Sequence, residues 1–190
     1  MIGNELLIGE RIRLTPVLDE DVPLLAEWLS DMGLQRLVNP GIVTPFTAQD
    51  LLDPESWFMQ DRNDKNSYVF AVRTKADDQF IGIGALNQFD TQARHAEFGI
   101  NLAHPDYQNR GYGGEVTHLI LRYGFRELNL NRIWLSVFSY NLRAIRLYKR
   151  IGFVHEATER EMIFRDGEYY DLIKMGMLRS EWETYDDHGE

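Results

Sequence analysis

The chain has 190 residues and a formal net charge of −10, from 20 Lys+Arg against 30 Asp+Glu. Its 44% hydrophobic and 26% charged residues exclude a disordered or fibrous chain, and the length suits a single domain over residues 1–190. Cysteine is absent, which excludes disulfides, a thiol nucleophile, thiolate metal sites and iron–sulfur clusters, and fits a cytoplasmic location. The opening MIGNELLIGERIRL has no apolar core of a signal peptide, and no apolar run is long enough to span a bilayer.

In chain order, alternating Ile8, Ile12 and Leu14 predict a strand within Leu6 to Val17. Asp19, Glu20 and Asp21 precede Leu24, Leu25, Trp28 and Leu29, the pattern of a helix start. Thr47 and Asp50 form a capping box for a second helix carrying Leu51, Leu52, Trp57 and Phe58. Three strands follow, Ser67–Lys75, Phe80–Phe89 and His95–His104, the last ended by Pro105. Gly113–Leu128 reads as a helix and Arg132–Phe138 as a compact apolar strand. Asn141 caps a helix through Ile151, and Gly152 stops it. Glu156–Arg165 and Glu168–Leu178 form a hairpin on Asp166-Gly167, and the acidic tail 181–190 is expected to fray. Antiparallel strands followed by a βαβα passage give an α/β (α+β) fold, a mixed sheet with helices on both faces.

The charge is unevenly spread. Gln108 to Gly152 holds eight basic residues (Arg110, Arg122, Arg126, Arg132, Arg143, Arg146, Lys149, Arg150) against Glu115 and Glu127. Its net +6 leaves −16 for the rest of the chain. A basic island in an acidic protein suits a polyanionic ligand, although a solvated helix face would look the same. Within the island, Gln108-Asn109-Arg110-Gly111-Tyr112-Gly113-Gly114 follows a strand and opens a helix. Glycines let successive N–H groups converge, and the helix N-terminus adds partial positive charge, so the segment reads as a phosphate cradle. It is neither a Walker loop nor a full dinucleotide-binding fingerprint, which disfavours a nucleotide-binding module.

A second segment sharpens the reading. Gln108, Gly111 and Gly113 match the form Gln/Arg-x-x-Gly-x-Gly/Ala, and Asn141, Ala144, Tyr148, Gly152 and Phe153 match Asn-x-x-Ala-x-x-x-Tyr-x-x-x-Gly-Phe. On these residues the chain resembles the GCN5-related N-acetyltransferase (GNAT) superfamily. The opening Leu7-Ile8-Gly9-Glu10-Arg11-Ile12-Arg13-Leu14 looks like its ribosomal-protein alanine N-acetyltransferase branch.

The resemblance implies a mainly antiparallel GNAT fold and an acetyl-CoA-dependent N-acetyltransferase that works by direct attack in a ternary complex. It implies that the acetyl-CoA diphosphate lies on Gln108, Asn109, Arg110, Gly111, Tyr112, Gly113 and Gly114, with the backbone N–H groups from about Arg110 to Gly114 as donors. The pantetheine arm would pair with the backbone near Leu102 and Ala103 and touch Asn141 and Ala144. Lys149, Arg143 or Arg146 would meet the 3′-phosphate. Tyr148 is implied as the acid that protonates the departing thiolate, with packing around the thiol as its other reading. Glu97 is a candidate base or substrate-orienting carboxylate, and a backbone N–H near Leu102 the oxyanion donor.

The acceptor is a primary amine, either a protein or peptide N-terminus or a small molecule, and the acidic remainder of the chain favours a cationic one. Neither nucleic acid nor membrane is expected as a partner, and the branch resemblance implies a homodimer. A non-catalytic acyl-CoA-binding sensor is the alternative class, which Glu97 and Tyr148 argue against. His95, His104 and His118 have no ligand spacing, so no metal is expected. Trp28, Trp57, Trp134 and Trp182 read mainly as core residues, and the resemblance implies that the helices carrying Trp28, Trp57 and Phe58 wall the acceptor.

Overall fold

A computed structural model describes residues 5–186 of the chain, and the side chains of 5–184. Seven strands form one sheet in the order β1-β2-β3-β4-β5-β7-β6. They are β1 (Ile12–Thr15), β2 (Tyr68–Thr74), β3 (Phe80–Asp90), β4 (His95–Asn101), β5 (Arg132–Phe138), β6 (Val154–Arg165) and β7 (Glu168–Leu178). Every neighbouring pair is antiparallel except β4 and β5. Four short helices, α1 (Val22–Leu29), α2 (Met32–Val38), α3 (Ala48–Leu52) and α4 (Trp57–Asn63), cover one face. The other face carries α5 (Tyr112–Arg122), prolonged by a π-turn over Tyr123–Glu127, and α6 (Leu142–Ile151).

Alternation along the strands feeds both layers. In β2, Ala71 packs among Leu25, Leu51 and Phe58 under the first helices, while Val72 packs with Leu86, Ile120 and Phe125 under the second. Each layer has its own core, so the sheet is buried on both sides across its centre.

Local sequence chemistry accounts for most of the boundaries. Thr47 accepts from the Asp50 N–H and Asp50 returns the bond to Thr47, closing the expected box. Asn141 Oδ1 caps α6 through the Ala144 N–H, and Gly152 ends it at φ 104°. Asp166 and Gly167 both have positive φ, the twist that suits a two-residue hairpin.

Four elements differ from expectation. The first strand is shorter, because the chain turns at Gly9, where its N–H bonds to the Ile12 carbonyl. The expected second helix is two helices. Pro54 supplies no N–H at the break, and Ser56 starts α4 by accepting from Met59. Helix α2 was absent from the sequence reading. Asp31 caps it by accepting from Gly33 and Leu34, and its buried Gln35 donates to the Leu29 carbonyl at 2.6 Å. The acidic tail is helical over Arg179–Asp186, because Trp182 (4% exposed) stacks on Phe125 at 5.1 Å. Residues 187–190, also expected to fray, lie outside the described residues. No helix among the described residues is long and apolar enough to cross a membrane.

Candidate active site

The parallel pair β4 and β5 keeps register only over His95↔Arg132, Ala96↔Ile133 and Glu97↔Trp134. Beyond Glu97 the two strands splay. The edge of β4 from Phe98 to Asn101 therefore faces a gap rather than a ladder partner, and Leu102 and Ala103 continue that line outside the strand. A cavity of about 610 Å³ opens at the split, lined on the first-helix side by Trp57, Phe58 and Asp61 and on the other by Ala144 and Tyr148.

The two expected catalytic side chains reach this cavity from opposite faces of the sheet. Tyr148 sits on α6, 8% exposed, with its ring edge-on to Phe98 (centroids 6.1 Å) and Phe153 (5.8 Å). No described residue hydrogen-bonds its hydroxyl, and burial alone pushes its pKa far above the ordinary phenol value. A neutral phenol with a free O–H is thus held against the gap. Glu97 sits on β4, on the face shared with its register partner Asn87 of β3. Gln88 donates to Glu97 Oε2 at 2.6 Å and Ser136 donates to Oε1 at 3.2 Å. Gln88 reaches it from a left-handed backbone (φ 52°) where the β3–β4 register shifts. Burial raises the Glu97 pKa from its ordinary value, Ser136 and Lys174 pull it down, and Asp61 adds a smaller upward push.

Sequence reasoning missed Asp61. Its carboxylate lines the cavity from α4 and accepts from Asn87 Nδ2 at 3.0 Å. Burial raises its pKa and Asp64 adds to the rise, the Asn87 hydrogen bond opposes it, and no cation among the described residues neutralises it. No pattern in DRND marks it.

The cradle takes shape where α5 begins. Asn109 (φ 61°) and Gly111 (φ 84°) are both left-handed, and their alternation with ordinary residues turns the N–H groups of 109 to 113 away from any acceptor among the described residues. Gly114, expected to donate with them, instead bonds back to the Gly111 carbonyl at 3.2 Å. Gln108 anchors the loop by donating from Nε2 to the Ala103 carbonyl at 3.4 Å. Gly113 faces Leu147 of α6, where an added Cβ would lie 3.4 Å from Cδ2. Of Asn141, Oδ1 is spent on the helix cap while the side chain lines the cavity, which leaves Nδ2 to a ligand.

The basic island divides. Arg110, Arg143, Arg146, Lys149 and Arg150 are exposed around the cradle and α6, and none of them has an ion-pair partner among the described residues. The other three are structural. Arg122 donates to the Glu5, Leu6 and Ile8 carbonyls, Arg126 lies over Trp182, and Arg132 pairs with Glu156.

Arg11, which the sequence marks only as part of the opening segment Leu7 to Leu14, has a structural task. Its guanidinium donates to the Arg110 carbonyl (3.0 Å) and Glu115 (3.0 Å) and lies 4.4 Å over the Tyr112 ring, bracing the cradle from β1. Arg11→Ala is therefore expected to raise the acetyl-CoA Kd by roughly 2- to 10-fold, the worth of one positioning hydrogen bond, and to leave kcat at saturation nearly intact. Calorimetric titration checks the first half and steady-state rates the second, and an unchanged Kd would make the brace irrelevant to binding. Among the described residues no three His, Asp or Glu side chains are grouped so as to hold a metal.

Comparison with known proteins gives this geometry its context. Residues 11–154 match the acetyltransferase (GNAT) domain family. A SPbeta prophage-derived uncharacterized N-acetyltransferase, YokL, from Bacillus subtilis is 29% identical over 182 residues, covering 95% of this chain and 96% of that protein. A spermidine N(1)-acetyltransferase of Vibrio cholerae is 36% identical over 107 residues, 56% of this chain and 61% of that one. The crystal structure of spermidine N-acetyltransferase from Vibrio cholerae in complex with CoA and spermine superposes with a TM-score of 0.82 at 25% identity, over 92% of this chain and 99% of that one. A cradle without a Walker lysine, a split parallel strand pair and a buried phenol at the split are thus found in a chain that belongs to the GNAT acetyltransferase family and is an acetyl-CoA-dependent N-acetyltransferase.

Proposed function

We infer that the acceptor is a small amine carrying at least one further positive charge, and that Glu97 and Tyr148 are the base and acid of a direct transfer. The observation that carries this reading is the chemistry of the cavity wall. Asp61 and Glu97 place carboxylates there, and two further lining residues, Asn87 and Asn101, each hold a buried amide oxygen without a hydrogen-bond partner. Among the described residues no Lys, Arg or His lines the same cavity. Such a wall matches ammonium groups, which offer only donors. Relatives that bear the name spermidine N-acetyltransferase support the same class.

In the proposed reaction the acceptor ammonium gives a proton to Glu97, and its nitrogen attacks the thioester carbonyl. The C–S bond breaks as the tetrahedral intermediate collapses, the thiolate takes the proton of Tyr148, and the second proton that the attacking nitrogen loses in becoming a neutral amide returns the phenolate to phenol. The cradle residues 109 to 113 would carry the diphosphate on free N–H groups, with Arg143, Arg146 or Lys149 near the 3′-phosphate. Leu102 and Ala103 would pair with the pantetheine amides, and an N–H there would serve the oxyanion. Because acid and base sit on opposite sides of the sheet, acetyl-CoA and acceptor meet only at the split. Holding both there supplies much of the acceleration, since well-oriented reactions gain roughly 7–11 kcal/mol.

The opening segment that resembles protein N-terminal acetyltransferases does not bear on the acceptor. Its Arg11 is engaged by the cradle and its Arg13 pairs with Asp78 at 2.6 Å. The test is a steady-state comparison of spermidine, a monoamine of similar length and an alanine-terminated peptide, with thiol release as readout. Spermidine is expected to have the highest kcat/KM. Asp61→Asn should raise KM for spermidine roughly 10-fold, the loss of one charge-assisted contact, and barely change the monoamine. A peptide preferred to both amines would overturn the small-amine reading.

A further inference from the structure

Glu97 is one member of a row of polar side chains that crosses the sheet on a single face. Asn87, on β3, and Glu97, on β4, are register partners. Trp134, on β5, is the partner of Glu97, and Ser136 lies two residues farther on the same face. Lys174, on β7, is in turn the register partner of Ser136. The contacts run in the same order. Lys174 Nζ donates to Ser136 Oγ at 2.8 Å, and Ser136 Oγ donates its own hydrogen to Glu97 Oε1 at 3.2 Å. Lys174 is fixed by the Trp134 ring at 5.1 Å and approaches Glu159 of β6 at 3.8 Å.

The directions of these bonds carry the argument. Ser136 has one hydrogen, and with Lys174 donating to its oxygen that hydrogen is committed to Glu97. A chain of donors headed by an ammonium ends on the carboxylate and stabilises its charged form. Charge-assisted chains of this kind are stronger where the surroundings are dry. Two other influences act the opposite way. The carboxylate is desolvated by the cavity, and Asp61 of α4 faces it with like charge. Gln88 holds the second oxygen, Oε2, and is neutral. Among the described residues no other charged group acts on Glu97, save Glu159 behind Lys174; Tyr148, across the same cavity, is neutral.

We propose that Ser136 and Lys174 are positioning residues that keep the Glu97 carboxylate charged and aimed into the cavity, so that it is ready to take the acceptor's proton. The proposal rests on the reading of Glu97 as the base. Neither side chain touches the reacting atoms. Lys174 does not line the cavity; Ser136 does, and its hydroxyl hydrogen is committed to Glu97.

The sign follows from the chain. A base must be ionised to accept a proton, so the rate rises with pH through the Glu97 titration. Ser136 and Lys174 lower the Glu97 pKa, and removing either raises it. The acid limb of kcat/KM then moves to higher pH. Ser136→Ala and Lys174→Met should each shift it upward by roughly one unit, the usual effect of one charge or hydrogen bond on a carboxylate. Because Lys174 also acts on the carboxylate directly through its charge, the double variant should shift it at least as far as the larger single change. Lys174→Arg keeps the charge and should restore most of the wild-type profile.

Two readouts on the full chain separate this proposal from the assignment of the base. Titration of the Glu97 side-chain carboxyl by carbon-13 NMR reports its proton affinity directly, with no turnover required, and kcat/KM against pH reports the kinetic base. Circular dichroism first confirms that each variant is folded, and Lys174→Met, at a partly buried site, stands in if Ser136→Ala does not fold. Upward movement of both titrations together supports the proposal. An NMR titration that moves without the acid limb leaves Ser136 and Lys174 as positioning residues for the carboxylate but removes Glu97 from the chemistry. A Glu97 titration unmoved in Lys174→Met, or moved equally by Lys174→Arg, overturns the proposal.

Discussion

Replacing Tyr148 by Phe is expected to lower kcat by roughly 10²–10⁴-fold, the usual contribution of one acid–base group, with saturating acetyl-CoA and an accepted amine. The fold should be unaffected. The ring packs edge-on against Phe98 and Phe153, and Phe preserves both contacts, while the hydroxyl it removes has no partner among the described residues. Removing it costs no protein hydrogen bond, so a rate effect cannot be traced to lost stability. Burial makes the phenol a poor donor of a full proton to bulk solvent. It remains matched to a thiolate that forms in the same dry gap, because the contact strengthens only as charge builds on sulfur. The acetyl-CoA Kd should change by less than about twofold, since a ground-state thioester sulfur is a weak acceptor. If the Phe variant keeps more than about a third of the wild-type rate when chemistry limits turnover, Tyr148 packs the cavity and the thiolate leaves unassisted.

Gly111→Val is expected to abolish measurable acetyl-CoA binding. Space is not the obstacle in the free protein, because an added Cβ would meet Arg11 Nη2 at 3.5 Å, an ordinary contact. The obstacle is the backbone. Gly111 sits at φ 84°, ψ −4°, which a β-branched residue adopts only at a cost of about 1–3 kcal/mol. The loop escapes that strain by leaving the left-handed turn, and the N–H groups of 109 to 113 then no longer converge. The measurement is a thermal melt with and without ligand. Wild type at 100 times Kd should gain about 2.7 kcal/mol of stability, and the Val variant none. Its unliganded melt should fall only modestly, since the strain is relieved at an exposed loop. Gly111→Ala, with a smaller side chain in the same turn, should fall between the two. A full wild-type shift in the Val variant would mean that the cradle does not hold the cofactor.

The parts of the site that were legible in the sequence are those made by neighbours in the chain. The glycine turn at 111, the Asn141 cap, the Gly152 stop and the Asp166-Gly167 hairpin each depend on a few consecutive residues whose backbone preferences are strong. The same holds for the two spaced segments that carry the family resemblance, which lie on one loop and one helix. Where local signals competed, the reading slipped. Pro54 broke a continuous apolar pattern into α3 and α4, and a short capped helix with a glycine in its first turn, α2, left no clear period. The charge island shows the same limit from another side. Composition marked eight basic residues, but tertiary contacts set three of them to holding the N-terminal segment, Trp182 and Glu156.

By itself, then, the sequence determined the order of the strands and the glycine turn of the cradle, because those follow from propensity and glycine placement along the chain, and Tyr148 was marked by the family resemblance. Only the tertiary structure decided the chemistry of the acceptor side. Asp61 meets Asn87 across 26 positions, Glu97 meets Ser136 across 39, and Ser136 meets Lys174 across 38. Arg11 reaches the cradle across 99. These contacts are products of strand register and of the early end of the β4–β5 ladder. Register is set by which faces the whole sheet buries, a property of all seven strands together that no single segment encodes.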